Sequence, residues 1–238
     1  MRVKPVQFYT KAELIVDALY LHVAREAHDR ATVAKGKIET ATQNWTALDE
    51  KWKQIEQSTP DLSAQYDLLE PLGVQLEGAD YQIGSAYGLM IKEIAIVHIL
   101  SAAALEAHIN GVAAERLTGK DFDHFEKLSL EAKWLFLPRL LGLESFNPGN
   151  EPFQSFSRLI KIRNELVHYK GHQEDWVSGG PPAFLSELGL TLVDSEKALK
   201  SVFGMIDALA RMMKTEPPYW LRKDLKEMNY FDVSVSSS

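Results

Sequence analysis

The segment YQIGSAYGLMIKEIAIVHILSAAALEAHINGVAAERL, residues 81–117, has no proline and is rich in Ala, Leu, Ile and Glu. These side chains favour helix, and between Ile94 and Leu105 they are apolar on nearly every azimuth, the pattern of a central helix buried all round. TGKD at 118–121 ends it, with Gly119 placed for a left-handed cap.

Upstream, residues 9–57 hold no proline and a single glycine, Gly36, which predicts one very long helix or two with a break at Gly36. STPD at 58–61 stops it, with Ser58 or Thr59 as the next cap and Pro60 in a first turn. Pro71, Gly73 and Gly78 interrupt residues 61–80, which read as a connector. Downstream, the pattern predicts a shorter helix over 121–141 and a turn at NPGNEP, 147–152. A further helix then has Pro152 in its first turn and Gly171 at its end. VSGGPPAF at 177–184 reads as loop, 194–214 as a last long helix, and the tail VSVSSS as disordered.

No segment alternates with hairpin turn signals, so the expected fold is all-α. No fixed-period repeat is visible, which favours a helical bundle over a solenoid. The predicted organisation is a long N-terminal helix and connector over 1–80, a bundle over 81–216, and a short helix with a disordered tail over 217–238.

Lys and Arg number 26 against 33 Asp and Glu, for a net charge of −7. That balance argues against a broad, non-specific nucleic-acid binder and leaves room for a local phosphate site. With no cysteine, disulfide scaffolds, thiolate zinc sites and cysteine nucleophiles are excluded. The N-terminus has no apolar core of signal-peptide type, and the charge-free run IAIVHILSAAAL is too short to span a bilayer. The expectation is a soluble cytoplasmic protein without membrane association, cofactor or metal. His168 and His172 have the spacing of a helical metal pair, but Gly171 between them should end the helix.

The chemistry concentrates in RLIKIRNELVHYKG, residues 158–171. On a wheel of about 100° per residue, Phe156, Leu159, Ile160, Leu166 and Val167 flank Arg163, placing it at the centre of the apolar stripe. Asn164 and His168, four apart, share a face at the stripe's edge, with Lys161 close by. A buried guanidinium needs an anion. Glu106, in ALEAHIN of the central helix, is the best intramolecular candidate, with Asn110 one turn further along. An imidazole can act as general acid or base, and an arginine can hold two phosphate oxygens. Since the ribose 2′-OH supplies a nucleophile, these groups suffice for metal-free RNA cleavage.

RNELVH also resembles the motif of HEPN domains: Arg, Asn, three residues, His. The likeness extends loosely over residues 81–214 and leaves the first eighty uncovered. It implies an all-α bundle, homodimeric, with two motif copies facing across the interface. Many members are metal-independent endoribonucleases in toxin–antitoxin, phage-defence or RNA-processing systems, leaving a 2′,3′-cyclic phosphate; others are inactive. Carried over by position, Arg163 and His168 are the catalytic pair, and Asn164 and Glu106 support them. Lys161 and Lys170 are the flanking cations for RNA.

Plainer readings stand beside these. Arg163 paired with Glu106 would simply fix bundle register, and His168 would interact with a helix dipole. His98 and His108 read as satisfied core histidines, and His22, His28 and His124 as solvent-facing. The long N-terminal helix reads as an amphipathic arm packing on the bundle or a partner. Two functions follow: a dimeric endoribonuclease, which an antitoxin or other protein would neutralise, or an inactive helical-bundle dimer in which Arg163 pairs internally and the long N-terminal arm recruits a protein partner.

Overall fold

The computed structural model describes residues 9–171, 181, 183–221 and 231–236. The elements run β1 (Tyr9–Leu14), α1 (Val16–Ser58), α2 (Leu62–Arg116), α3 (Lys120–Glu126), α4 (Leu130–Leu140), α5 (Phe153–Val167), α6 (Phe184–Glu187), α7 (Leu192–Met213), a 3₁₀ turn (Tyr219–Leu221) and β2 (Phe231–Ser236). The fold is all-α in character, with one short antiparallel strand pair, in which Tyr9 faces Ser236 and Leu14 faces Phe231.

Several boundaries differ from the sequence reading. Residues 9–14 are strand rather than helix, and residues 231–236 pair with them where a disordered tail was expected. α1 is one helix of 43 residues that passes Gly36 without a break. At the turn that follows it, Asp61 rather than Ser58 or Thr59 caps the next helix, its Oδ1 accepting from Ser63 N–H at 3.1 Å. The expected connector over 61–80 is absent, because α2 continues through Pro71 for 55 residues. The helix predicted over 121–141 is two, since Ser129 caps α4 by accepting from Ala132 N–H at 3.3 Å. Gly119 has φ 56° and ψ −130°, a region open to glycine only, and starts α3.

Contacts divide the chain into two compact units, residues 1–24, 99–160 and 198–238, and residues 25–98 and 161–197. The division therefore does not follow the expected boundary at residue 80.

In the second unit, α1 and α2 run antiparallel. Buried Ala27, Ala31, Ala34, Ile38, Ala41 and Leu48 recur on α1 every three or four residues, as do Leu72, Ala79, Ile83, Ala86 and Met90 on α2. This spacing makes a continuous seam between two helices, and alanine lets the backbones approach. Ala31, Ala34 and Ile38 meet Ala86, Met90 and Ile94, with Leu185 and Leu190 added from beyond α5. Leu48 meets Leu72 and Ala79, with Trp45 and Trp52 packed against them. Such packing explains why Pro71 and two glycines are tolerated. A mid-helix proline costs about 3 kcal/mol and each glycine about 1, and the seam offsets that by burying their neighbours.

In the first unit the core is aromatic. Trp134, fully buried, meets Phe146 at 5.9 Å and Phe156 at 6.0 Å between ring centres, and Phe156 meets Phe153 edge-on at 5.2 Å. α2 also contains a stretch long and apolar enough to cross a membrane by length and composition, where the sequence reading found none. Half of that stretch is buried inside the protein.

Candidate functional site

α5 starts from the NPGNEP turn, with Gln154 N–H donating to Asn150 O at 3.1 Å and Phe156 N–H to Pro152 O at 3.2 Å. Its first three turns bury Phe153, Phe156, Leu159, Ile160 and Ile162. Over the last turn the stripe opens: Leu166 is half-buried and Val167 is 52% exposed. Arg163 is at the stripe's centre by azimuth, yet it lies where the stripe begins to open and is half-buried rather than sealed.

Its Nη1 donates to Asn164 Oδ1 at 3.0 Å. Among the described residues no carboxylate lies within ion-pair distance of the guanidinium. The anion expected for it is engaged elsewhere, because Glu106 Oε1 takes the Lys133 ammonium at 3.1 Å. The reason is burial. Lys133's side chain is 3% exposed and has little water to solvate its charge, so it needs the carboxylate. A half-exposed guanidinium keeps part of its hydration.

His168 lies one residue past the end of α5. Its N–H closes the last turn on Asn164 O at 3.0 Å, its side chain is exposed, and Gly171 follows at φ 76°. Lys161 Nζ is 3.8 Å from Glu165 Oε1, an exposed i,i+4 pair of little worth. Lys170 is exposed. Arg163, Asn164, Lys161, His168 and Lys170 thus cluster on the last turns of α5 and the residues after it, while Glu106 serves Lys133. Asn110 is half-buried. His172 lies outside the described residues. Among the described residues no group of three His, Asp or Glu side chains has metal-binding geometry.

Two further histidines are not solvent-facing as the sequence suggested. His22 is half-buried. His28 Nδ1 lies 2.9 Å from Ser195 Oγ, whose own proton goes to Leu192 O at 2.8 Å. With that proton given to Leu192 O, the Ser195 hydroxyl oxygen accepts from His28. His98 is fully buried, bonded through Nε2 to Gly189 O at 3.0 Å.

Sequence reasoning missed a second polar centre. His108 Nδ1 is 3.0 Å from Asp17 Oδ2, and the ring stacks on Trp134 at 6.3 Å and meets Trp220 edge-on at 6.1 Å. His108 is two residues from Glu106 in a segment already singled out. Asp17, 91 positions away, carries no local signal that would join them.

In the same unit as Arg163, the Glu93 carboxylate is nearly sealed, which pushes its pKa up. Hydrogen bonds from Lys92 at 3.0 Å and Arg30 at 2.9 Å more than offset this and hold it below the usual value.

Against known proteins the chain matches no family model, no curated protein and no solved structure, so the resemblance to HEPN domains rests on RNELVH and the helices around it.

Proposed function

We propose that this chain is a HEPN-like, metal-independent endoribonuclease acting as a homodimer in the cytoplasm, in a toxin–antitoxin, phage-defence or RNA-processing setting. The observation that carries the reading is an arginine with no carboxylate among the described residues, turned onto Asn164, with an exposed His168 one turn further on. A phosphate oxygen is the partner such a guanidinium lacks, and bidentate contact would hold it.

In this reading His168 accepts the proton of a ribose 2′-OH as the oxygen attacks the adjacent phosphorus. Arg163 stabilises the charge that gathers on the phosphoryl oxygens. The 5′-oxygen leaves with a proton from the partner copy's imidazole, giving a 2′,3′-cyclic phosphate and a 5′-hydroxyl. Asn164 orients the guanidinium, and Lys161 and Lys170 face the RNA backbone.

The test is cleavage of total cellular RNA in the presence of a chelator, comparing wild type with His168→Ala and Arg163→Ala. Equal cleavage by all three sinks the proposal.

A second reading, an inactive dimer that binds a protein, is favoured by Val167 and Tyr169, 52% and 46% exposed beside the motif. Apolar surface of that kind gains from being covered. No cleavage by wild type, together with self-association lost in Val167→Asp, would support it.

A further inference from the structure

We infer that the cleft beside His108 is a binding site for a linear polyamine, distinct from the α5 motif and independent of the nuclease reading. The cleft encloses about 460 Å³ between the start of α1, the last turns of α2 and the Pro218–Trp220 segment. That is the size of a small-ligand pocket.

Its polar groups are Asp17, His108 and Glu115, and among the described residues no lysine or arginine lines it. Ile15, Val112, Pro218 and Trp220 give it apolar walls. Such a lining repels phosphates and carboxylates and suits a cation with a methylene stem.

The dyad at one end is built rather than incidental. Asp17 Oδ1 accepts from Ala18 N–H at 2.9 Å, in the first turn of α1, which steadies a carboxylate there. Its Oδ2 holds His108 Nδ1 at 3.0 Å, and Trp134 and Trp220 fix the ring plane. Among the described residues Nε2 has no hydrogen-bond partner, and it is not sealed from solvent. With Nδ1–H given to Asp17, Nε2 of the uncharged tautomer is an acceptor for an ammonium proton.

Glu115 is two turns along the same face of α2, about 10.5 Å by helical rise, and would take a second ammonium. Between them Gly111 leaves the floor open: a Cβ there would meet nothing within 4 Å. A glycine inside a helix is less favourable than alanine. No packing among the described residues requires it, whereas a methylene stem lying along the floor would.

The experiment is isothermal titration of the full chain with spermidine and, as charge-reversed control, heptanedioate, at physiological salt. Saturable one-to-one binding of spermidine and none of heptanedioate is expected. Glu115→Gln, an exposed partner, should weaken binding about threefold, and Asp17→Asn about tenfold. Gly111→Leu should abolish it while leaving the helical circular dichroism and the melting temperature no lower, since leucine favours helix and the site has room. No spermidine binding, or binding that survives in Gly111→Leu, overturns the inference. The second result would assign the effect to counter-ion attraction by the acidic surface.

Discussion

Lys133 and Arg163 are both cations on apolar faces of short helices, and the fold treats them oppositely. Lys133 is 2% exposed and receives Glu106, while Arg163 is half-buried and receives only the neutral amide of Asn164. A sealed ammonium without a carboxylate would cost several kcal/mol. A guanidinium at the mouth of an apolar stripe can wait for an anion from outside, and that difference separates a structural ion pair from a candidate site.

The largest expected effect is on activity. On the proposed nuclease function, His168→Ala and Arg163→Ala should each lower metal-free RNA cleavage by about 10²- to 10⁴-fold. Unfolding free energy should move by no more than about 0.5 kcal/mol, as for surface changes. A large loss of stability in Arg163→Ala would break the comparison, because the guanidinium would then be structural.

Lys133→Ala should do the reverse, costing about 1–3 kcal/mol in urea denaturation with cleavage retained. That range discounts a buried-pair figure because Glu106 is 44% exposed. A cost near zero would mean that the pair is ornamental.

A subtler contrast comes from Glu93. Its carboxyl lies below the usual value in the folded chain, so its contribution to stability is complete above the unfolded value near 4.3. The contribution is lost as pH falls through the folded value. Wild type should therefore lose stability on acidification from pH 5, and Arg30→Gln should flatten that loss. Equal slopes would remove Arg30 from the account.

The smallest effect is expected at Gly88, on the exposed side of α2, where a Cβ would meet nothing within 4 Å. Gly88→Ala should raise stability by about 0.5–1 kcal/mol. Absence of that gain would indicate a neighbour packed on the bare face.

Much of this was legible in the sequence. α1, α5 and α7 follow from periodicity and from the proline and glycine punctuation, and the azimuth of Arg163 follows from counting. What periodicity cannot give is how far a stripe continues into a core, so the opening of α5 at Leu166 and Val167 was not visible. α2's continuity through Pro71 was hidden because local propensity is outweighed by the seam of Leu72 and Ala79 on Leu48. Glu106 was legible as the carboxylate that interrupts the central helix, but its pairing with Lys133 was not, since Lys133 gives no sign in sequence that it is buried. Lys11-Ala12-Glu13-Leu14 and FDVSVS both alternate polar with apolar residues, but each is short and no hairpin turn joins two segments so far apart in the chain, so their pairing was not foreseen.

Gly189 carries a consequence for how this chain tolerates change. Its φ is 66°, its carbonyl holds His98, and a Cβ would come within 2.5 Å of Ile162 Cδ1, the side chain just before Arg163. Saturation mutagenesis should find position 189 strongly biased to glycine, with Asn the best tolerated replacement, while the solvent-facing His168 accepts many residues without unfolding. A library screened for folding alone would thus preserve Gly189 and erase His168, whereas one screened for cleavage would keep both.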